Sequence, residues 1–251
     1  MKMKNALYLI PVPLSDAPPE RMLPPYNLEV VKTLRHFVVE NLRAARRTLR
    51  RWDPEFPIDE CEFHELNTHT DRSTIHGYLN ALREGLPMGL MSDAGCPAVA
   101  DPGSDIVAMA QSEGLEVVPL VGPSSILLGL MGSGFNGQGF AFQGYLPVGE
   151  NEREARLREL ESLARRLGQT QIFIETPYRN NRLLATMARI LNADTKVCVA
   201  CDLTDPERQC ILTRTAAEWR KAQYDFDKRP AIFLIHVEGS RTQARTKGGR
   251  R

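Results

Sequence analysis

The sequence predicts an α/β fold made of two domains, the first of them built on a mainly parallel sheet. Short apolar runs alternate with helix-forming segments almost throughout the chain, which is typical of strands that are covered on both faces. A glycine-rich segment, GSGFNGQG at 132–139, interrupts this alternation. The chain has 251 residues, which is enough for two domains of about 100–150 residues each.

The first domain is predicted to alternate strands and helices. The strands cover 6–11, 36–40, 60–66, 87–92 and 115–120, and the helices cover 28–34, 42–52, 73–84, 104–113 and 124–131. Hydroxyl residues from Ser73 onward can cap the third helix, and Gly85 and Gly114 follow the third and fourth, where glycine commonly ends a helix. Strands separated by helices in this way indicate a parallel sheet.

The second domain is predicted to follow the glycine-rich segment. A strand begins at Phe140, and helices at 151–167 and 180–191 accompany strands at 170–175, 196–201, 208–215 and 231–237. We therefore predict an N-terminal domain over 1–135, a C-terminal domain over 136–238 and a basic tail over 239–251. The tail ends in RTQARTKGGRR, with five basic residues and no acid, and is predicted to be a solvated, flexible end.

The composition excludes several classes of protein. The net charge of +1 argues against a globally basic nucleic-acid binder, and 42% hydrophobic with 25% charged residues is ordinary for a globular protein. No apolar run approaches the roughly 18 residues that cross a bilayer, so no membrane association is predicted. The five cysteines have no framework spacing, which favours a cytoplasmic location.

Two short motifs that often mark binding or redox sites stand in a context that does not support those functions. Gly132, Gly134 and Gly137 spell GxGxxG, but the dinucleotide motif works between a strand and the helix it opens, whereas here it follows a predicted helix. Cys198 and Cys201 form CxxC within the alternating run KVCVAC. Because alternate residues of a strand point to opposite faces, this pair is predicted to be buried rather than redox-active or metal-binding.

A histidine-rich stretch also lacks the spacing of a metal site. His64, His69 and His76 lie close to Cys61 and Glu62. None of their separations is a standard zinc pattern. No metal is predicted.

The segment NLRAARRTLRRW is predicted to present an arginine face. Arg43, Arg46, Arg47, Arg50 and Arg51 follow the i, i+3, i+4 spacing and, at about 100° per residue, occupy an arc of roughly 140°. Like charges four residues apart repel, which a mixed surface would avoid, and arginine suits phosphate through paired hydrogen bonds. Two interpretations stay open: a surface for RNA or another polyphosphate, and a solvated face paired with acids elsewhere in the fold.

Five segments in order along the chain resemble one family. They are LYLIPVPL at 7–14, LMSDAGCPAVADPGSDIV at 90–107, VVPLVGPSSILLGLMGSGF at 117–135, FIETPYR at 173–179 and ACDLT at 200–204. Together they resemble the tetrapyrrole methylase superfamily, the class III S-adenosylmethionine-dependent methyltransferases. Within it they are most similar to the branch of ribosomal RNA small subunit methyltransferase I, which methylates a cytidine 2'-hydroxyl of 16S rRNA.

The resemblance implies two α/β domains with S-adenosylmethionine bound in a cleft between them. It also implies a set of cofactor-binding residues: Pro13, Leu14, Asp93, Ala94, Gly95, Cys96, Val99, Ser124, Ser125, Ile126, Phe173, Ile174, Glu175, Ala200 and Ala231. Members of the superfamily are commonly homodimers, so a homodimer is expected by resemblance.

Methyl transfer to a hydroxyl benefits from a base or an oriented hydrogen bond. The carboxylates proposed for that role are Glu40, Asp101 and Glu175, and the residues proposed to bind RNA phosphate are Arg43, Arg46, Arg47, Arg50 and Arg179.

The chain departs from the branch at several points. It has PVPLSDAPP where the branch has PTPIGNLxD, ENLR where the branch has EDTR, Cys96 in place of threonine, and Pro230-Ala231 in place of Pro-His. Two other functions therefore stay open. One is a methyltransferase acting on a small molecule such as a tetrapyrrole, and the other is an RNA-binding homologue without catalysis.

Overall fold

The computed structural model describes residues 4–238, which form two compact units. Unit 1 comprises the described residues up to Ser125 together with Thr204–Glu207. Unit 2 comprises Ile126–Leu203 and the described residues from Arg208 onward. The predicted basic tail at 239–251 lies outside the described residues.

Unit 1 alternates strands and helices as the apolar runs predicted. Its strands are β1 (Leu7–Ile10), β2 (His36–Val39), β3 (Glu62–Glu65), β4 (Met88–Met91) and β5 (Val117–Pro119). Its helices are α1 (Pro25–Thr33), α2 (Leu42–Trp52), α3 (Asn80–Arg83) and α4 (Ser104–Ser112). The predicted bounds of α2 agree with the observed ones because Asn41 caps its start through a hydrogen bond from the Ala44 backbone N–H.

The helix predicted over 73–84 is the clearest local difference. The segment forms a 3₁₀ turn over Ile75–Leu79 and only then the single turn of α3. Gly77 lies inside this segment, and glycine lowers helix stability by about 1 kcal/mol relative to alanine. The hydroxyl cap expected near Ser73 is absent among the described contacts, since Thr74 makes no capping hydrogen bond to this 3₁₀ turn.

The sheet of unit 1 is fully parallel, in the order β3-β2-β4-β1-β5. Its central strands are buried on both faces: Leu7 packs in one apolar cluster, and Tyr8 and Ile10 pack in another. All five strands run in the same direction, so the loops that follow them meet at one edge of the sheet. This edge carries most of the site residues predicted in the first half of the chain.

Unit 2 has a mixed sheet and longer helices. Its helices are α5 (Ser125–Ser133, which begins at the division between the units), α6 (Glu150–Leu167), α7 (Asn180–Ile190) and α8 (Ala216–Trp219). Its strands are β6 (Phe140–Tyr145), β7 (Thr170–Ile174), β8 (Lys196–Cys201), β9 (Cys210–Thr215) and β10 (Ala231–His236). The sheet order is β6-β7-β10-β8-β9, with β6 parallel to β7 and the other neighbours antiparallel.

The two units divide between Ser125 and Ile126, in the first turn of α5, whereas the boundary was predicted near residue 136. The reason is that α5 packs on the second sheet: the Thr213 hydroxyl of β9 donates a hydrogen bond to the Ser133 carbonyl at 2.8 Å. The glycine-rich segment after α5 therefore connects α5 to β6 inside unit 2. Among residues 4–238, no helix combines the length and apolarity needed to span a membrane.

Candidate active site

The loops after β1 and β4 are joined by their backbones. The Val12 N–H donates to the Gly95 carbonyl at 2.8 Å, and the Gly95 N–H donates to the Val12 carbonyl at 2.9 Å. Gly95 has φ +73°, a left-handed conformation that glycine adopts without strain. Gly95 is one of the residues predicted to bind the cofactor. In the structure, its backbone hydrogen bonds hold the two loops together.

The loop after β5 is attached to the same assembly. The Cys96 thiol donates to the Pro123 carbonyl at 3.4 Å, so Cys96 makes a side-chain contact despite lacking the threonine hydroxyl. Ala98 and Ala100 have φ +64° and +66°, which is uncommon for residues other than glycine and costs of order 1 kcal/mol each. Such strain is concentrated at functional loops, which supports a functional role for the segment between 92 and 103.

Three carboxylates approach one another at this edge. Glu40 follows β2, and its Oε2 accepts a hydrogen bond from the Asp93 backbone N–H at 3.1 Å. The pKa of Asp101 is raised to about 6. Burial is the largest cause, the charges of Glu40 and Asp93 act in the same direction, and the hydrogen bond with the Ser92 side chain acts in the opposite one. Two of the three predicted catalytic carboxylates, Glu40 and Asp101, are therefore neighbours in the structure.

The pKa of Asp93 is also raised. Burial is the largest cause, followed by the charges of Glu40 and Glu65, whereas the nearby Arg47 guanidinium lowers it. Glu65 ends β3 and accepts a hydrogen bond from the Leu42 backbone N–H at 3.0 Å. Glu65 was not among the predicted site residues, although an acidic residue at the carboxyl end of a predicted parallel strand is a usable signal.

A cavity of about 610 Å³ opens beside these loops, within unit 1. This volume lies within the range of ligand pockets. One wall is made by the loops after β1 and β4, and the other by α2; the lining residues are Val12, Pro13, Leu14, Ser15, Asp16, Asp93 and Ala94 from the loops and Ala44, Arg47, Thr48, Arg51 and Trp52 from α2. Four predicted cofactor residues and one predicted RNA-binding residue thus share one cavity.

The arginine face of α2 is exposed, as its spacing predicted. All five arginines are exposed, while Ala45 and Leu49 on the opposite side are buried. Three of the five have partners. Arg46 lies over the Phe63 ring at 5.4 Å from its centroid, Arg50 donates to the Pro54 carbonyl at 2.7 Å, and Arg51 pairs with Asp16 at 3.0 Å. Arg43 and Arg47 make no hydrogen bond or ion pair with any residue of 4–238.

The other predicted residues of unit 1 lie at the same edge. Val99 is exposed, and Ser124 is half-buried just before α5. Ser125, the first residue of α5, is also half-buried. Ile126, the next residue of α5 and the first of unit 2, is half-buried as well.

In unit 2, the predicted residues lie where β7 and β8 end and β10 begins. Ile174 pairs with Ile232, and Ala231 pairs with Cys201, so this edge is continuous across the sheet. The side chains of Phe173 and Ala200, however, are buried, with exposures of 0% and 1%.

Glu175 and Arg179 form a close ion pair at this edge. Glu175 Oε1 accepts hydrogen bonds from Arg179 Nη2 at 2.6 Å and Nε at 3.0 Å. The Glu175 side chain is only 2% exposed, compared with 31% for Arg179. A carboxylate so tightly engaged holds the chain after β7 in place, while its predicted catalytic and cofactor roles stay predictions.

The described residues offer no group of three or more histidine, cysteine or acidic side chains that could hold a metal. Cys198 and Cys201 are buried in β8, and burial raises the pKa of each thiol to about 11. Both thiols are therefore protonated at neutral pH, which suits a structural role.

No protein-family model matches the chain. Curated relatives do. The ribosomal RNA small subunit methyltransferase I of Bacillus subtilis is 32% identical over 94% of this chain and 76% of its own length. The protein of the same name from Thermotoga maritima is 33% identical over 84% of this chain and 90% of its own length. The chain belongs to the ribosomal RNA small subunit methyltransferase I family. It is a methyltransferase, and its cofactor is S-adenosylmethionine.

Two solved structures share the fold of this methyltransferase. The methyltransferase CobJ superimposes with a TM-score of 0.61 at 17% identity, over 92% of this chain and 93% of its own. Cobalt precorrin-4 methyltransferase, CbiF, gives 0.57 at 15% identity, over 92% and 95%. These values confirm the predicted α/β fold of the tetrapyrrole methylase type.

The loops of unit 1 fit the cofactor of this methyltransferase chemically. Pro13 and Leu14 give the cavity an apolar wall suited to adenine. The Asp93 side chain accepts no hydrogen bond from residues 4–238 and would accept one from a hydroxyl or amino group of the bound cofactor. S-adenosylmethionine supplies a methyl group activated by its sulfonium, so the residues of this chain have mainly to position the acceptor and remove its proton.

Proposed function

We propose that this methyltransferase transfers the methyl group of S-adenosylmethionine to a ribose 2'-hydroxyl of small-subunit ribosomal RNA. One observation carries the proposal: the exposed arginine face of α2 borders the cavity that the predicted cofactor loops line. A cationic surface of this kind attracts a polyphosphate chain. The names of the curated relatives support the same acceptor class.

Glu40 and Asp101, which neighbour the cavity-lining Asp93, suit the deprotonation of a hydroxyl. A ribose hydroxyl has a pKa far above 7, so transfer is faster when a positioned base takes its proton. Asp101, with its pKa raised to about 6, is ionised at neutral pH and more basic than an ordinary aspartate. We propose Asp101 as the base and Glu40 as the group that raises its basicity. Glu175 stays a weaker candidate because its carboxylate is engaged by Arg179.

The remaining assignments belong to the same proposal. The residues proposed to contact the cofactor are Pro13, Leu14, Asp93, Ala94, Gly95, Cys96, Val99, Ser124, Ser125, Ile126, Phe173, Ile174, Glu175, Ala200 and Ala231. The residues proposed to contact RNA phosphate are Arg43, Arg46, Arg47, Arg50 and Arg179. A cytoplasmic location fits a ribosomal substrate. A homodimer is proposed from resemblance to the superfamily.

Labelled methyl transfer tests this function. S-adenosylmethionine with a labelled methyl group is incubated with the protein and, in parallel, with small-subunit ribosomal RNA, 30S particles and a cell extract lacking the protein. The expected product is RNA containing one alkali-resistant labelled dinucleotide, because a 2'-O-methyl group blocks cleavage at that linkage. Label found only in small molecules would favour a tetrapyrrole-type acceptor. Salt-dependent RNA binding without transfer would favour a non-catalytic homologue.

A further inference from the structure

The cavity of unit 1 has two chemically different walls. The loop wall carries Pro13, Leu14 and Asp93, which are predicted to contact the cofactor. The α2 wall carries Arg47, Thr48 and Trp52, none of them predicted to do so. We infer that the α2 wall binds the acceptor nucleotide, with the Arg47 guanidinium on its phosphate. This inference rests on the proposed function and names the part of the site that receives the RNA.

The arginines of α2 differ in how they are engaged, which singles out Arg47. Arg46 and Arg50 are held by the Phe63 ring and the Pro54 carbonyl, and neither lines the cavity. Arg47 lines the cavity and makes no hydrogen bond or ion pair within the described part of the chain. Arg47 attracts the nearby Asp93 only through its charge. Its guanidinium can therefore use its paired donors on a phosphate without breaking a hydrogen bond.

Arg51 also lines the cavity but has a different role. Its guanidinium donates to Asp16 Oδ1 at 3.0 Å, to the Ala17 carbonyl at 2.9 Å and to the Asp16 carbonyl. These bonds attach the loop after β1 to α2. We therefore assign Arg51 as a positioning residue that sets the distance between the two walls.

The same loop is held from a second direction. The Thr204 hydroxyl donates to the Ser15 hydroxyl at 3.0 Å, and Thr204–Glu207 belongs to unit 1 although its neighbours in the chain belong to unit 2. The loop wall is thus attached at Ser15 as well as at Asp16 and Ala17. Reacting groups must be held about 3–3.5 Å apart for efficient transfer, and two attachments make that spacing reproducible.

Trp52 gives the α2 wall an aromatic surface. Its indole Nε1 is buried and has no acceptor within residues 4–238, which leaves a donor that a ligand oxygen could satisfy. Stacking of a base on an aromatic ring is worth about 1–3 kcal/mol and tolerates any base. An arginine, a hydroxyl and an indole on one wall make a set suited to a nucleotide.

The first experiment compares arginine variants in binding. The protein is titrated with S-adenosylmethionine by calorimetry, and with a labelled single-stranded RNA hexamer at several salt concentrations. We expect Arg47→Gln to weaken hexamer binding about 10- to 100-fold, to reduce the salt slope by about 1 and to leave cofactor affinity within about threefold. Arg21→Gln is the matched control, because Arg21 is exposed, lies in unit 1 and does not line the cavity.

The second experiment uses the tryptophans as a signal that is independent of catalysis. The chain has two tryptophans, and Trp219 is 1% exposed in the core of unit 2. Titration with the hexamer or with cytidine 5'-monophosphate is expected to quench Trp52 emission. The Trp52→Phe variant is expected to lose that change, and Trp219→Phe to keep it.

The outcomes separate this inference from the proposed function. If the wild-type protein methylates RNA but Arg47→Gln binds the hexamer as tightly as Arg21→Gln does, the inference is overturned and the proposed function stands. If Arg47→Gln weakens the quenching of Trp52 emission by the hexamer, but the wild-type protein transfers no methyl group to RNA, the inference is supported and the proposed function is overturned. If Arg47→Gln weakens S-adenosylmethionine and not the hexamer, the α2 wall belongs to the cofactor and the inference fails.

Discussion

Glu40 and Asp93 are joined by a hydrogen bond of 3.1 Å between the Glu40 carboxylate and the Asp93 backbone N–H. The bond ties the end of β2 to the loop after β4 and holds the Glu40 charge near Asp101. That charge is one cause of the raised pKa of Asp101. In the segment ENLR, Asn41 stands where the resembling branch has aspartate, and it still caps α2. This departure from the branch therefore keeps both the carboxylate and the helix start.

Asp101→Asn should abolish most of the activity. If Asp101 takes the acceptor proton, kcat/KM for the wild-type protein rises with pH until about pH 6, the value to which burial raises the pKa of this carboxyl, and then levels off. Loss of a general base lowers the rate by about 10²–10⁴-fold. The pH profile of methyl transfer measures both effects. Asp105→Asn, in the exposed first turn of α4, is the control, and unchanged kinetics in Asp101→Asn would exclude this role.

The same substitution should stabilise the protein. The pKa of Asp101 is raised from 3.8 to about 6 in the folded state, so folding favours the protonated form. Its contribution to stability is complete below about pH 4 and is lost as pH rises to about 6. The asparagine of Asp101→Asn does not ionise, so the variant does not lose this stability as pH rises. Because Asp101 is only half-buried, we expect Asp101→Asn to raise the free energy of unfolding at pH 7.5 by only about 1 kcal/mol, measured by urea denaturation. No gain at pH 7.5, or an equal gain at pH 4, would contradict this.

Glu175→Gln should destabilise unit 2. The substitution removes the charge that pairs with Arg179 across 2.6 Å, on a carboxylate only 2% exposed. Because Arg179 is partly exposed and can be solvated, we expect a loss of about 1–3 kcal/mol rather than the full cost of a broken buried pair. Denaturation curves measure it. Glu150→Gln, in an ion pair that is 50% exposed on the Glu150 side, should change stability by less than about 1 kcal/mol. If kcat falls by more than the fraction of unfolded Glu175→Gln protein accounts for, Glu175 also acts in methyl transfer.

Gly122→Ala should disrupt the loop assembly. A Cβ at this position would lie 2.2 Å from Pro11 Cβ and 2.6 Å from Pro11 Cγ, and the proline ring cannot rotate away. We expect a loss of about 1–3 kcal/mol from overpacking, together with weaker binding of S-adenosylmethionine in calorimetry. Gly137→Ala is the control because a Cβ there meets nothing within 4 Å. Equal stability of the two variants would show that Pro11 moves freely.

Cys198 and Cys201 should be unreactive in the folded protein. Burial raises the pKa of both thiols to about 11, and the thiolate is the reactive form. With iodoacetamide at pH 8, we expect neither residue to be alkylated until guanidinium unfolds the chain. Mass spectrometry of digests locates the label. Alkylation of Cys198 in the native protein at the rate of the unfolded chain would mean that β8 opens readily.

The sequence by itself determined the elements and the family. Apolar runs, helix caps and turn residues are local signals, and they placed β2, α2 and β8 to within about a residue. The five segments that match in order were together sufficient to name the superfamily, and the arginine spacing on α2 was sufficient to predict an exposed face. The interrupted helix at 73–84 is the local exception, and Gly77 lies at its interruption.

Only the tertiary structure decided which of these residues act together. The backbone pairing of Gly95 with Val12 and the contact of Cys96 with Pro123 join segments far apart in the chain. The raised pKa of Asp101 likewise depends on burial and on charges brought in from β2 and β4. Local propensity carries no information about such contacts, because they form only when the parallel strands bring their loops to one edge of the sheet.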